Sequence, residues 1–374
     1  MMQRRGNIFN LGVKELRSLW RDKALLLFVF FAFTGLIYVV SSATSIELNN
    51  APVAVVDGDQ SQLSKRIINA FYGPYFKTPD VILLTDVDPT LDNGSYTFVL
   101  NIPPDFERDV LASKQPTLQV NIDATRMSQA FIGDNYIQTI ISAEINEFVK
   151  GYRTTYTLPI EQSSHILFNP NKTSVWFGSV MELMNVITMI SIILTGAAVI
   201  REREHGTLEH LLVMPITPFE IVMSKIWANG LVILLLTTFS LFIVIEGILQ
   251  VPIHGSAALF LLGAAIHLFA TTSLGILLGT QARTMPQLGL LMILILLPLQ
   301  MLSGGVTPRE SMPDIVQNIM LFAPTTHFVK FAQAILYRGA GWDVVWPYFL
   351  ALFAIGSVFF IFALSRFRKS VALG

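Results

Sequence analysis

Six stretches of the chain are long, apolar and nearly free of charge, and a polypeptide segment of that kind satisfies its backbone in lipid only as a helix. They are Ala24 to Ala43, Trp176 to Ile200 with Glu182 near its start, Ile226 to Ile245, Ala257 to Gly279, Gln287 to Ser303 and Val344 to Ser365. Crossing about 30 Å of hydrocarbon takes about 20 residues at ~1.5 Å rise each, and Gln287 to Ser303 is the shortest of the set. Only 14% of the 374 residues are charged while 52% are hydrophobic, against about 25% charged in soluble domains. The expected fold is therefore an α-helical polytopic membrane protein with six transmembrane helices and one large insertion.

The same composition excludes several functions. A net charge of −1 leaves no overall basic surface for nucleic acid, so an electrostatic partner must meet a local patch. Without cysteine there is no disulfide frame, thiol nucleophile or Cys-ligated metal, and six scattered histidines make no metal cage. No Gly-x-x-x-x-Gly-Lys-Ser/Thr loop occurs, so the chain lacks the usual means of binding and hydrolysing ATP.

The first span reads as a retained anchor. Its apolar run exceeds a signal-peptide core, and the segment before it is too long and too patterned for an n-region, although Ser41-Ser42-Ala43 faintly resembles a cleavage site. Lys and Arg counts orient the spans. The N-terminal arm carries six, the loop after the second span three (Arg201, Arg203, Lys225), the next loop on that side Arg283, and the tail three; the opposite side carries none between Gln250 and Ser256 and three between Gly304 and Asp343. Both termini are predicted to be cytoplasmic.

Residues 1–23 read as a cytoplasmic amphipathic interface helix, with Ile8, Leu11, Leu16, Leu19 and Trp20 among Arg4, Arg5, Lys14, Arg17 and Arg21, and with its cations toward anionic membrane lipid. A merely basic topological flank is the alternative. After the span at 24–43, residues 44–172 turn soluble in composition and predict an extracytoplasmic α/β domain. Strands are expected at Pro52 to Val56, Val81 to Thr85, Tyr96 to Ile102 and Thr117 to Ile122, and helices at Ser61 to Phe71, Asp105 to Ser113 and Ser128 to Lys150. Asp57, Asp59 and Ser61 have the look of a calcium loop without its later glycine and glutamate, which favours helix capping. Residues 173–374 form a five-helix transmembrane region, in which the proline-broken segment 304–342 predicts an outer re-entrant helical hairpin, Asp314 to Phe322 and His327 to Tyr337.

Charge returns most densely just after the second span, in Arg201-Glu202-Arg203-Glu204-His205-Gly206-Thr207-Leu208-Glu209-His210-Leu211-Leu212-Val213-Met214-Pro215. Gly206 interrupts the helix, Leu208, Leu211, Leu212 and Ile216 form an apolar stripe, and Pro215 and Pro218 end one segment and begin the next. The residues alone leave two readings level: an amphipathic connector with solvated charges, or a lever across the cytoplasmic mouth that a partner pushes. Within the spans, Asn185, Thr188, His267 and Gln300 are candidates for a substrate pathway, and interhelical hydrogen bonding serves equally. His267 stands out because a titratable ring at mid-span needs a partner.

This loop, with Lys225 downstream, resembles the coupling-helix signature of ABC-2 type exporter permeases. Further likeness lies in Tyr96 to Phe106, Leu302-Ser303-Gly304-Gly305 with Pro308, and Pro324-Thr325-Thr326-His327-Phe328, and it runs the length of the chain, as in the drug-exporter branch. The resemblance implies a coupling helix at 201–220 whose Arg201, Glu202, Arg203, Glu204, Gly206, Thr207, Glu209, Leu212 and Pro215 meet an ATPase supplied in trans. It implies no catalytic residue, metal or cofactor on this chain, ATP and Mg on the partner ATPase, and a second permease chain forming a homo- or heterodimer. It implies a bacterial inner membrane location, with a periplasmic adaptor protein and an outer-membrane channel as further partners. The expected function is export of a lipophilic or amphipathic, drug-like compound. The alternatives are a permease for lipid-linked polysaccharide, an ion-coupled carrier disfavoured by the shortage of intramembrane carboxylates, and a non-transporting scaffold or sensor that binds a ligand through the outer domain.

Overall fold

The computed structural model describes the chain except residues 1, 44–47, 126, 152–167, 170–172, 205, 207–215 and 373–374. In chain order come helices α1 (Met2–Arg21) and α2 (Lys23–Ala43), then β1 (Val53–Asp57), α3 (Gln62–Asn69), β2 (Asp80–Val81), α4 (Val87–Asp92), β3 (Phe98–Ile102), α5 (Phe106–Leu111), β4 (Gln119–Ile122) and α6 (Met127–Lys150). The remainder is helical: α7 (Ser174–Glu204), α8 (Pro218–Ile248), α9 (Ala257–Gln281), α10 (Met285–Met301), α11 (Asp314–Phe322), α12 (Pro324–Leu336) and α13 (Trp342–Ala372). These fall into two compact units, residues 45–167 with 172–174, and the helical rest.

The smaller unit is a mixed sheet in the order β2-β1-β3-β4, parallel across β2, β1 and β3 and antiparallel to β4. A strand covered on both faces must be apolar at every position, and Val53-Ala54-Val55-Val56 obeys this. Val53 and Val55 join Phe98, Leu100, Leu63, Ile67 and Ile137 on the face under α3 and α6, while Ala54 and Val56 join Val99 and Val87 of α4 on the other. The carboxylates around Asp57 cap helices. Ser61 accepts from Ser64 N, Asp57 Oδ1 from Gln60 N and Oδ2 from the Ser64 hydroxyl. Asp59 accepts from Glu107 N at 3.0 Å and the Glu107 carboxylate from Leu63 N at 2.9 Å, so α3 and α5 cap each other.

Two local expectations differ, and one helix was not expected. The strand expected over Val81 to Thr85 pairs only at Asp80–Val81 and gives way to a 3-10 turn at Leu84–Asp86, because at the sheet edge its side chains are exposed and gain nothing from extension. Asp105 lies outside α5, at φ 63°, and Phe106 begins the helix. Helix α4 has no side-chain N-cap and is held by burial of Val87, a tertiary cause without a local signal.

In the larger unit α7 and α9 are central: 72% and 67% of their apolar stretches are buried, against 28% for α2 and 22% for α13. Outward-facing Leu27 and Phe31 on α2, Leu290 and Leu294 on α10, and Leu350 and Ile361 on α13 form an apolar surface unsuited to water. Five helices are long and apolar enough to cross a membrane among the described residues, α2, α7, α8, α9 and α13; the bent pair α11 and α12, at 89°, makes a sixth if counted as one span. The fifth predicted span is instead α10, at 17 residues and therefore about 25 Å long. It packs along the later part of α7, with Leu288, Met292 and Leu296 against Ile192 and Ile200; Glu204, at the end of α7, accepts from Met285 N, and Met181, near its beginning, lies beside Gly305 beyond the end of α10. Phe219 at the start of α8 packs on Phe360 of α13, and Trp227 of α8 on Phe9 of α1. The last turns of α13 and helix α1 thus share one end of the helical layer. Helix α12 begins at Pro324 rather than His327, since proline at the first helical position loses no hydrogen bond.

Glycine sets the closest approach. A Cβ on Gly275 would strike the Thr195 hydroxyl and fall 2.6 Å from the Ile192 carbonyl, and one on Gly279 would lie 2.9 Å from the Gly196 carbonyl. Backbone atoms of α7 cannot retreat as a side-chain tip can. Gly275→Ala is expected to lower stability by about 1–3 kcal/mol through overpacking, while Gly289→Ala, whose Cβ meets nothing within 4 Å, is neutral or stabilising. Thermal unfolding of the detergent-solubilised variants, followed by size-exclusion recovery, checks both.

Candidate functional site

Helix α7 does not stop at the predicted membrane exit but carries Arg201 to Glu204 as its last turn, after which Gly206 takes φ 66° and its N–H bonds to the Arg203 carbonyl. Four consecutive helical residues cover a full turn, so their side chains radiate in all directions. Each finds a different element. Arg201 Nη1 donates to Asp22 Oδ2 at 3.2 Å, and the other oxygen of Asp22 caps α2 by accepting from Leu25 N. Glu202 lies 2.8 Å from Lys225 Nζ of α8 and 3.5 Å from Lys14 Nζ of α1. The Arg203 guanidinium donates to the Ala282 carbonyl just beyond α9, and Glu204 accepts from Met285 N at the start of α10 at 3.2 Å.

Lys225 is the centre of this arrangement. Its side chain is 1% exposed, and its ammonium sits 2.9 Å from Glu15 of α1 as well as 2.8 Å from Glu202 of α7. A buried ammonium survives only with compensating partners, and two carboxylates from two helices supply them. The rest of α1 is fastened along α8. Trp227 Nε1 donates to the Ile8 carbonyl at 3.2 Å, its ring stacks on Phe9 at 5.9 Å, and Gly12 leaves room for that ring against the helix backbone. Asn7 donates to Glu220 Oε1 at 3.4 Å, while Glu220 Oε2 accepts from Thr217 N at 2.6 Å in the capping box that begins α8.

Of the residues singled out in the sequence, the structure brings Arg201, Glu202, Arg203, Glu204 and Gly206 to this hub; Thr207, Glu209, Leu212 and Pro215 lie outside the described residues. Glu15, Asp22, Lys14, Glu220 and Asn229 were not singled out as site residues. Their signal is faint but present: Glu15 and Asp22 are the two acids in an otherwise basic first 23 residues, and Glu220 and Lys225 are charges at the entry of an apolar span. Deeper in the layer, Thr188 of α7 and His267 of α9 meet at 2.9 Å, Ser191 donates to Thr271 at 2.7 Å, and the fully buried His267 ring stacks on Phe328 at 3.9 Å. Asn185 bonds to Glu182 at 3.4 Å instead, and Gln300 lies near the far end of α10, where its carbonyl accepts from Ser303.

A family profile described as ABC-2 family transporter protein matches residues 24–365. The chain belongs to that family. Inner membrane transport permease YhhJ of Escherichia coli (strain K12) is 61% identical over 365 residues, covering 98% of each chain. Probable multidrug ABC transporter permease YbhR of the same organism is 29% identical over 368 residues, covering 96% of this chain and 97% of the relative. ABC transporter G family member 20 of Dictyostelium discoideum is 22% identical over 351 residues, 91% of this chain and 48% of that one. ABC-2 permeases are transport subunits rather than catalysts, and the ATP-binding cassette ATPase is a partner.

In this ABC-2 permease the Lys225 cluster is expected to bind α1, α7 and α8 as one body. Lys225→Met leaves Glu15 and Glu202 facing each other in a buried site and should cost about 3–5 kcal/mol. Adding Glu15→Gln and Glu202→Gln to it should recover part of the loss, as read by thermal unfolding of the purified chain.

Proposed function

We propose that the chain is the membrane-spanning subunit of an ATP-driven exporter of lipophilic or amphipathic, drug-like compounds in a bacterial inner membrane, with both termini cytoplasmic. The inner-membrane location is taken from the printed name of YhhJ, and the cargo class from that of YbhR. The observation that carries the mechanism is the radial grip of Arg201 to Glu204 on α1, α2, α8, α9 and α10. A push on the segment that follows Gly206 would reach all five through one helical turn. In this reading residues 201–220, half of which lie outside the described residues, are the coupling segment, touching an ATPase that binds ATP and Mg, and a second permease chain completes the pathway. The outer unit, residues 45–167, would stand on the far side of the membrane and meet an adaptor protein and an outer-membrane channel.

The hydrogen-bonded Thr188 and His267 serve first as glue between α7 and α9, at about 0.6–2 kcal/mol per interhelical bond. The half-buried Asn185 and Gln300 are the members of that set better placed to line a route for cargo. The alternatives of a polysaccharide permease and of a ligand-binding scaffold gain no specific support from the hub, and the scaffold has no need of it.

The test is vesicle reconstitution of the chain with its ATPase partner. Gly206→Pro forces a φ of about −65° where the chain holds 66°, and Glu204→Ala releases α10. Both should leave expression intact, keep basal ATP hydrolysis, and abolish its stimulation by cargo along with transport. Coupled transport at wild-type rate in both variants, or a chain that stimulates no ATPase at all, refutes the lever.

A further inference from the structure

We infer that the cleft enclosed by α1, α2, α7 and α8 beside the Lys225 cluster binds the headgroup of a zwitterionic phospholipid. The cleft has a volume of about 220 Å³, far above the ~10–15 Å³ that admits one water. Its polar lining is Lys14, Glu15, Ser18, Arg201, Glu202 and Asn229, and its other wall is Leu19, Leu25, Leu194 and Ala198. A polar floor with an apolar flank suits an amphiphile rather than a free ion.

Two observations point to a ligand. Asn229 is 5% exposed, lines the cleft, and its amide Nδ2 is buried without a hydrogen-bond partner; such a donor costs roughly 1–3 kcal/mol unless an acceptor reaches it. Arg201 spends Nη1 on Asp22 and has further N–H groups for an oxyanion. A phosphodiester supplies acceptors for both. The charge balance selects among phosphates: Lys14, Arg201 and Lys225 are matched by Glu15, Glu202 and Asp22. A neutral cluster of this kind suits a phosphate that brings its own ammonium, and disfavours one with net negative charge. Leu27, Phe28 and Phe31 are exposed further along α2 and offer the acyl chains a path. The inference is independent of the identity of any exported cargo.

The experiment is native mass spectrometry of the full chain in alkyl maltoside, titrated separately with short-chain phosphatidylethanolamine, short-chain phosphatidylglycerol and inorganic phosphate. One phosphatidylethanolamine per chain should be retained at collision energies that strip phosphatidylglycerol, and inorganic phosphate should neither bind nor displace it. Asn229→Leu, which removes the donor, should reduce retention about tenfold, as loss of a hydrogen bond to a charged group predicts, and Ala198→Phe, which fills the cleft, should reduce it at least as much. The two substitutions sit on different helices, so either suffices if the other is not recovered, and lipid selectivity is read on the unaltered chain. Equal retention of both lipids, binding of phosphate alone, or unchanged retention in a folded variant overturns the assignment.

Discussion

A single ammonium, that of Lys225, holds together the part of this protein on which the rest of its mechanics depends. Burying a positive charge among apolar helices is costly, and the cost is offset only while Glu15 of α1 and Glu202 of α7 stay within about 3 Å of it. That requirement fixes the rotation of three helices at once. It presents Arg201, Arg203 and Glu204 to their own partners, because their angles around α7 follow from that of Glu202.

The consequence is a division of labour along α7. Its buried length packs against α9 through glycine and hydroxyl contacts: Gly275 against Thr195 and Ile192, Thr188 against His267, Ser191 against Thr271. Close packing of this kind makes the two helices move together. Its last turn is tied to α1, α2, α8, α9 and α10 through charged side chains. In the proposed coupling role these four consecutive residues would be the joint.

Much of the fold was legible in the sequence because burial in lipid or between sheet layers imposes period and length directly. The apolar stretches became α2, α7, α8, α9 and α13 with small shifts of end, and Val53 to Val56 and Phe98 to Ile102 became the paired central strands. Where expectation and structure part, the deciding forces are not local. Helix α10, with 17 residues, is placed by its packing on α7 and by the Glu204 contact at Met285. The strand at Val81 stops early for lack of burial, and α4 forms because a buried Val87 overrides a weak cap.

By itself the sequence determined that this is a polytopic helical membrane protein of the ABC-2 kind, that it carries no phosphate-binding loop of its own, and that the turn beginning at Arg201 bears unusual charge. It could not determine what that charge grips. Composition and period report how each helix meets its surroundings, whereas the partners of Glu202, Lys14 and Lys225, lie on two other helices far from it in the chain and adjacent only in space. The tertiary structure alone decided that Lys225 is buried between Glu15 and Glu202, because an ion pair is specified by distance, and distance between helices is set by how their faces pack.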